Sequence, residues 1–261
     1  LNESLKTALY HGDETVIITG SPSVAQINTI ADLTSATVTA SVTADMTTLD
    51  DLVDSGNTNL TITVTGDLTT SDLSTLDSLG NVTIDSDAVI TGSLADINSA
   101  IDNDQIDNIA EANFSISDSL SVADQNTLIT DLDTAAGGAN NYVGTITATI
   151  TEQDTDTLTG ISRAGAYTIT VANTTAADPD ADVDEVEAVT AAALDDINLL
   201  TTETINVTSS TVTGDIADVL TAFVTASDDA TISYASDVAI TVDDDTNIAE
   251  LNSITDLTTG T

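Results

Sequence analysis

The sequence has no cysteine, and only 2 of its 261 residues are lysine or arginine. Without cysteine the chain can form no disulfide and carry out no thiol chemistry, which fits a secreted protein as well as a cytosolic one. The 44 acidic residues give a formal charge of −42. Because nucleic acids and anionic membranes attract clustered basic side chains, both are excluded as partners. Such an excess of carboxylates needs screening by salt or neutralisation by bound cations.

Aromatic residues are also scarce, at 2% of the chain, and tryptophan is absent. A globular core of this size normally uses large rings to fill its interior. A solenoid has a thinner core, because each coil contacts only its neighbours. Hydrophobic residues nevertheless make up 41% of the chain and recur periodically, which indicates folding rather than disorder.

No sequence signal places the chain in or across a membrane. No uninterrupted apolar run approaches about 18 residues, so no transmembrane helix is predicted. The opening stretch LNESLKTALYHG lacks the basic and apolar regions of a signal peptide. The chain also begins at Leu1 in the middle of a pattern, so we expect a fragment of a longer chain.

The segment Asn81–Asp102 illustrates a unit that the rest of the chain repeats with variations. It holds two β-type runs separated by the turn Asp85–Asp87, followed by an amphipathic helix. Ser93 and Asp96 stand at the start of this helix and are predicted to cap it rather than to bind a ligand. Alternating apolar and polar residues predict further strands, among them Leu60–Thr65, Tyr167–Val171, and the pair Phe114–Ser117 and Leu120–Val122.

Nine helical segments each carry an equivalent apolar residue, and these residues recur at intervals of 21–39: Ile27, Leu49, Leu76, Ile97, Leu128, Leu158, Ile197, Val219 and Leu251. A degenerate period of this length is typical of solenoids. The sequence therefore predicts an α/β solenoid of parallel β-strand coils with short helices on one wall and about nine irregular repeats. The alternatives are a mostly-β solenoid and one compact α/β domain. We expect residues 1–261 to form a single repeat array, with a weak subdivision at the Gly/Asn loop 135–141.

Four stretches carry a resemblance to a known class of proteins: GDETVIITGSPSVAQINTI, TVTGDLTTSDLSTLDSL, VITGSLADINSAI and LTGISRAGAYTITV. They resemble the Thr/Asp-rich strand-repeat segments of large secreted bacterial surface proteins, which are abundant in marine cyanobacteria and have relatives among phage virion proteins. The resemblance implies an extracellular structural role in a surface layer, adhesin stalk or filament, often with calcium. The chain lacks the Gly-Gly-x-Gly-x-Asp nonapeptides of RTX calcium rolls, so the calcium sites of those proteins do not carry over.

Two acidic runs are candidate metal sites. In DPDADVD, four alternating aspartates provide hard oxygen ligands at a spacing like that of an EF-hand: Asp178, Asp180, Asp182 and Asp184. This loop has no glycine at its sixth position, and Val189 stands where an EF-hand has its bidentate glutamate, so a solvated acidic loop is the alternative. The second run is Asp243, Asp244 and Asp245, at a predicted strand-to-helix turn where aspartate either caps the helix or binds cations diffusely.

Residues suited to catalysis are few. His11 is the only histidine, and no nucleophile elbow accompanies it, so we interpret it as a surface residue rather than a member of a Ser-His-Asp triad. Glycosidases usually grip sugar with aromatic platforms, which are nearly missing here. A carbohydrate-binding or polysaccharide-processing solenoid is the alternative from a different class, and it would line an acidic groove with Tyr10, Tyr142, Tyr167 and Tyr234.

These observations together predict an extracellular or cell-surface structural protein without catalytic activity. It would form or decorate a surface layer, filament or adhesin stalk, and it would associate with further copies of itself. Its expected partners are divalent cations, above all Ca²⁺, and surface polysaccharide. A phage fibre or virion decoration protein is the alternative within the same broad class.

Overall fold

Short runs of Val, Ile and Thr, each followed by a capping Ser, Thr or Asp, make the chain alternate between strands and helices. The computed structural model describes residues 15–53, 56–79, 81–102, 106–172, 175–176, 185–186, 189–209, 211–225, 231–235 and 238–243. Within these ranges it contains 18 β-strands and eight α-helices. The fold is therefore mixed α/β, and the mostly-β alternative is wrong.

The chain forms two units, the first of which comprises Leu1–Ser115 and Asp131–Gly144. Its described strands are β1 (Val16–Ile17), β2 (Val38–Ala44), β3 (Thr58–Val64), β4 (Leu68–Thr69), β5 (Asn81–Ile84), β6 (Val89–Gly92) and β7 (Ile106–Asp107). Its helices are α1 (Val24–Ala31), α2 (Met46–Leu49), α3 (Thr70–Asp77), α4 (Leu94–Ile101) and a 3₁₀ turn (Ile109–Glu111). The boundary between the units falls inside two elements, β8 (Asn113–Leu120) and α5 (Val122–Ala135).

The second unit comprises Ile116–Thr130 and Thr145–Thr261. Its described strands are β9 (Ile146–Ile150), β10 (Ala166–Thr168), β11 (Thr170–Val171), β12 (Thr175–Ala176), β13 (Glu185–Val186), β14 (Val189–Thr190), β15 (Ile205–Val207), β16 (Thr211–Gly214), β17 (Ile232–Tyr234) and β18 (Ala239–Val242). Its helices are α6 (Thr155–Leu158), α7 (Ala191–Asn198) and α8 (Ile216–Leu220), and α8 continues into a π-helical turn (Thr221–Thr225).

Parallel pairing between successive strands builds the sheets of the first unit. One sheet has the order β1-β2-β3-β5-β7, and β4 pairs separately with β6. In the first sheet Val42 is in register with Ile62, and Ile62 with Val82, so each partner lies 20 residues further along the chain. All three side chains are buried, with 2%, 0% and 0% of their surface exposed. Because strand side chains alternate between faces, Thr43 and Thr61 lie on the opposite, outward face and are exposed.

The second unit repeats this arrangement in two three-stranded sheets with the orders β11-β15-β17 and β14-β16-β18. Their pairs are parallel as well, and Thr190 is in register with Thr213, which is in register with Thr241. Strands β9 and β10 also pair in parallel. Among the described pairs, β12 and β13 are the exception, since they pair antiparallel. Helices of successive segments pack together, α3 on α4 in the first unit and α6 on α7 on α8 in the second.

Two strand predictions need correction. The predicted strand pair Phe114–Ser117 and Leu120–Val122 is one strand, β8, and Val122 instead begins α5. The hydroxyl of Ser121 accepts the Asp124 N–H at 3.0 Å, so the chain turns into a helix before the second run can extend. The predicted strand Tyr167–Val171 consists of two, β10 and β11, because the backbone changes pairing partner from β9 to β15 at the buried Ile169.

Side-chain caps start several of the described helices, and one of these caps is predicted from the sequence. Ser23 and Gln26 form a reciprocal capping box on α1, with the Ser23 N–H donating to Gln26 Oε1 at 2.9 Å. On α4 the Asp96 N–H donates to Ser93 Oγ at 3.2 Å, and Ser93 donates its hydroxyl proton to Asp96 Oδ2 at 2.7 Å. The predicted capping role of Ser93 and Asp96 is confirmed.

Aspartate itself is the capping residue of three further helices: Asp45 of α2, Asp154 of α6 and Asp215 of α8. A carboxylate at this position also interacts favourably with the positive end of the helix dipole. Hydrogen bonds from the side chain and backbone of Thr48 lower the pKa of Asp45. Some of the aspartates in this acidic chain therefore act as helix N-caps.

An asparagine fastens α1 to the loop that follows the next helix. The side-chain amide of Asn28 donates to the Asp51 carbonyl at 2.7 Å, and its Oδ1 accepts the Val53 N–H at 3.0 Å. We call this two-bond arrangement an asparagine clamp. It satisfies two backbone groups of a loop that has no strand or helix partner for them.

A second asparagine clamp lies in the other unit. Asn126 of α5 donates to the Gly160 carbonyl at 2.9 Å and accepts the Ser162 N–H at 2.8 Å, again in the loop after the next helix, α6. Asn98 occupies the same position in α4 as Asn28 does in α1, but its buried Oδ1 has no hydrogen-bond partner. Asn98 therefore provides a matched comparison for the clamp.

We expect Asn28→Ala to lower the free energy of unfolding by about 1–2 kcal/mol more than Asn98→Ala, because only the first loses two hydrogen bonds. Both substitutions gain the same helix propensity, so this gain cancels in the comparison. Urea denaturation followed by circular dichroism measures the difference. Equal effects of the two substitutions would show that the Asn28 clamp contributes nothing to stability.

Candidate functional site

Most of the predicted ligands lie outside the described residues: Asp178, Asp180, Asp182, Asp184, Asp244 and Asp245. His11 and Tyr10 lie outside them too. Asp243 is described; it is exposed after β18, and its backbone N–H donates to the Gly214 carbonyl at 2.9 Å. The calcium prediction for both acidic runs stays a prediction.

The structure does describe the strands on either side of residues 177–184. These strands, β12 and β13, pair antiparallel, with Thr175 opposite Val186 and Ala176 opposite Glu185. In the part of the chain that the structure describes, no three histidine, aspartate or glutamate side chains are grouped so that they could hold a metal ion.

Two aspartates on neighbouring helices of the second unit form an acidic pair, Asp195 on α7 and Asp218 on α8. Partial burial, and next the negative charges of Asp218 and of Asp196, together raise the pKa of Asp195 to about 6. A carboxylate with this pKa exchanges a proton close to neutral pH. Sequence periodicity does not reveal this pair, because its proximity depends on which helices pack together.

Tyr234 of β17 lies close enough to Asp195 of the acidic pair to be affected by its charge. Its ring stacks on Phe223 with 4.0 Å between ring centroids and 13° between ring planes, and its hydroxyl donates to the Ala222 carbonyl at 3.0 Å. Burial, and next the charge of Asp195, raises the pKa of Tyr234, so the phenol stays protonated and acts as a donor. Tyr234 therefore has a structural role, anchoring β17 to the π-helical turn.

Two of the four tyrosines proposed to line a sugar-binding groove, Tyr142 and Tyr167, are not exposed platforms. Tyr142 is 1% exposed in the first unit and donates its hydroxyl proton to the Ala112 carbonyl at 3.2 Å. Tyr167 is 0% exposed in the second unit. Stacking of sugar rings needs an accessible aromatic face, and neither residue offers one.

A groove of about 360 Å³ lies between α3 and α4, and its lining is mostly hydroxyl and carboxylate. Thr70, Ser74 and Asp77 contribute from α3, and Asp96 and Ser99 from α4. Asp96 already accepts the Ser93 hydroxyl proton in the α4 cap. The groove thus offers polar contacts at the surface, and the carboxylate of Asp96 is already used in capping α4.

A buried polar pair joins α5 to β10 in the second unit. Gln125 and Tyr167 are both 0% exposed, and Gln125 Nε2 donates to the Tyr167 hydroxyl at 2.9 Å and to the Arg163 carbonyl at 3.5 Å. Burial raises the pKa of Tyr167. Gln125 is the fourth residue of α5, the position that Ile27 has in α1 and Ile97 in α4, so the predicted equivalence of Leu128 with those residues is wrong. A glutamine in an apolar stripe was the signal in the sequence for this pair.

The ring of Tyr167 fits because Gly165 has no side chain. A Cβ atom at Gly165 would lie 2.6 Å from the Tyr167 ring and 2.7 Å from the Ile146 carbonyl oxygen. Thr201 holds the other side of the tyrosine, accepting its backbone N–H at 3.1 Å and donating to its carbonyl at 2.7 Å. The absent side chain of Gly165 makes room for the ring of Tyr167, and Thr201 holds its backbone.

Comparisons with protein-family models, with curated proteins and with solved structures found no match to this chain. None of the helices in the described ranges is both long and apolar enough to cross a membrane. The function is therefore argued from the residues and their packing.

We expect the unfolding free energy to rise between pH 7 and pH 5 in part because of Asp195. Its folded pKa of about 6 lies above its ordinary value of 3.8, so its charged form disfavours the folded state, and this cost is full above pH 6. The cost shrinks as pH falls from 6 and vanishes below 3.8, since over that range the folded state binds more protons than the unfolded state. Urea titrations at fixed ionic strength should give a smaller rise for Asp195→Asn than for the unmodified chain.

Asp156→Asn, at an exposed position on the neighbouring helix α6, is the control for this measurement. It removes the same charge and should keep the full pH-dependent rise. If Asp195→Asn and Asp156→Asn gave the same pH dependence, the acidic pair would have no specific part in it.

We expect Tyr167→Phe to lower the unfolding free energy by about 1–3 kcal/mol, because it leaves the buried Gln125 amide without its best acceptor. Gln125→Leu combined with Tyr167→Phe should recover much of this loss, since replacing both polar partners by apolar ones is nearly neutral. A double-mutant cycle from urea denaturation measures the coupling. Purely additive effects would contradict a specific Gln125–Tyr167 interaction.

Proposed function

We propose that this chain is a solenoid of stacked α/β coils that serves as an extracellular structural protein, forming or decorating a surface layer, filament or adhesin stalk. The observation that carries the proposal is the in-register parallel pairing of Val42, Ile62 and Val82, 20 residues apart. Each strand joins its counterpart in the next segment rather than a distant part of the chain. Stacked segments of this kind are what a solenoid requires.

The same segment-to-segment order supports the proposal in both units. Strands β14, β16 and β18 pair in sequence, with Val189 opposite Val212 and Val212 opposite Ile240. The asparagine clamps of Asn28 and Asn126 each reach the loop after the next helix. Sheet, helix and loop are thus all fastened to the following segment, and the contacts are mainly structural.

Charge supports a location where salt or divalent cations are abundant. With a net charge of −42, the chain repels itself at low ionic strength. Asp195 illustrates this repulsion between neighbouring helices, because after burial the charge of Asp218 is the next cause that raises its pKa. Calcium bridging carboxylates would relieve the repulsion both within a copy and between copies. The edges of parallel sheets also give such a stack a way to join further copies.

Sedimentation velocity of the purified chain tests the proposed assembly. In CaCl₂ the chain should form larger species than in NaCl of the same ionic strength, and a chelator should return them to the starting size. The NaCl sample is the control, because it screens charge without bridging carboxylates. A chain that stays monomeric in both salts would contradict the structural-assembly proposal. Species of equal size in both salts would show that assembly does not require calcium.

A further inference from the structure

The helices α2, α6 and α8 begin in the same way. Each has an N-capping aspartate and buries the fourth residue after this cap: Leu49 in α2, Leu158 in α6 and Val219 in α8. In each, the N–H of the sixth residue after the cap donates to the carbonyl of the third: Asp51 to Thr48, Gly160 to Thr157, and Thr221 to Asp218. The backbones of the three segments are therefore equivalent up to the sixth residue after the cap.

An asparagine on the preceding helix fastens two of these segments. The clamps of Asn28 and Asn126 bind the carbonyl of the sixth residue after the cap and the N–H of the eighth. Asn28 does so across intervals of 23 and 25 residues. In the third segment, Asn198 of α7 precedes the corresponding residues, Thr221 and Phe223, by the same two intervals. A third asparagine therefore stands where a clamp could form.

This third clamp is open. Asn198 Oδ1 is buried and has no hydrogen-bond partner, so the N–H of Phe223 does not donate to it. The other two segments leave the helix after the sixth residue, whereas the third continues as the π-helical turn, which contacts α7. Backbone groups in a π-helical turn bond to one another along the helix. The π-helical turn and the clamp are therefore alternative conformations of the same backbone.

An aromatic stack favours the π-helical turn. Val53 and Ser162, which correspond to Phe223 in the other two segments, are exposed. Phe223 is only 2% exposed and stacks on Tyr234, and the Tyr234 hydroxyl donates to the Ala222 carbonyl of the same turn. A loop in which residue 223 is exposed would lose this burial of the ring. The stack therefore opposes the formation of the third clamp.

We propose that Asn198 is a third asparagine clamp, held open by the stack of Phe223 on Tyr234, and that residues 221–225 change from the π-helical turn to a clamped loop when the stack is lost. The clamped loop gives the buried Asn198 oxygen the donor that it lacks, and an unpaired buried acceptor is costly. Closing the clamp also separates Tyr234 from Ala222, so the change couples the α7–α8 pair to β17. The inference concerns this segment alone and does not depend on the proposed cell-surface role.

A double-mutant cycle tests the proposal. Phe223→Val removes the stacked ring and introduces the residue type that α2 has at the corresponding position, Val53. We expect Asn198→Ala to lower the folding equilibrium constant about 5–30-fold more in the Phe223→Val chain than in the unmodified chain, because only there does it break two hydrogen bonds. Urea denaturation measures both effects. The proposal is overturned if Asn198→Ala has the same effect in the two chains.

Asn98→Ala, in the first unit, is the matched control for this cycle. The Oδ1 of Asn98 is also buried without a hydrogen-bond partner, and no part of the proposal involves it. Its effect on the folding equilibrium constant should be the same with and without Phe223→Val. If the effect of Asn98→Ala grew as much as that of Asn198→Ala, the cycle would report a general loosening of the chain, and the proposal would fail.

NMR spectroscopy of a second variant tests the clamp directly, also where Phe223→Val does not fold. Tyr234→Leu removes the stack from the side of β17 and leaves Phe223 in place. We expect the nuclear Overhauser effect between the Asn198 side-chain amide and the Phe223 N–H to become as strong as that between Asn28 and the Val53 N–H, which are clamped in the unmodified chain. A signal for Asn198 that is unchanged from the unmodified chain would overturn the proposal.

Discussion

Backbone hydrogen bonding between parallel strands of successive segments is the constraint on which this structure depends. An inner strand pairs on both sides, as β5 does with β3 and β7, so its position along both neighbours is fixed. A shift by one residue would turn Ile62 to the solvent and Thr61 to the core. Residues that are in register on neighbouring strands must therefore be alike in polarity and size. This explains why Val42, Ile62 and Val82 are in register with one another.

The same constraint explains why large side chains are rare and why each needs a compensating feature. Tyr142 and Tyr167 are both buried, and both have a glycine two positions away. A Cβ atom at Gly144 would lie 2.7 Å from the Tyr142 hydroxyl, and one at Gly165 would lie 2.6 Å from the Tyr167 ring. Each ring is therefore accommodated by a nearby residue that has no side chain. Gln125 is the polar counterpart, and its buried amide donates to the Tyr167 hydroxyl at 2.9 Å.

Local patterns in the sequence were sufficient to predict elements whose cause is local. Alternation over Leu60–Thr65 predicts β3, and the Ser93–Asp96 spacing predicts the cap of α4, because both depend on residues within one element. The break at Ile169 was not predictable in this way, since it arises where the chain exchanges one pairing partner for another. The acidic pair was missed for a related reason. Asp195 and Asp218 are 23 residues apart, the same offset that separates Val189 from its partner Val212, so the strand register carries the signal that periodicity alone did not.

The distribution of carboxylates follows from how few cations the chain has to pair with them. With 44 acidic residues and 2 lysines or arginines, intramolecular ion pairs can neutralise almost none of the charge. Backbone N–H groups at helix starts donate hydrogen bonds to some of these carboxylates, as at Asp45 and Asp215. There the negative charge is stabilised by amide donors in place of water. Where a partly buried carboxylate lies near others without such donors, as Asp195 does beside Asp218 and Asp196, burial and then repulsion raise its pKa. Salt in the surrounding solution screens the exposed part of this repulsion, so its cost depends on ionic strength.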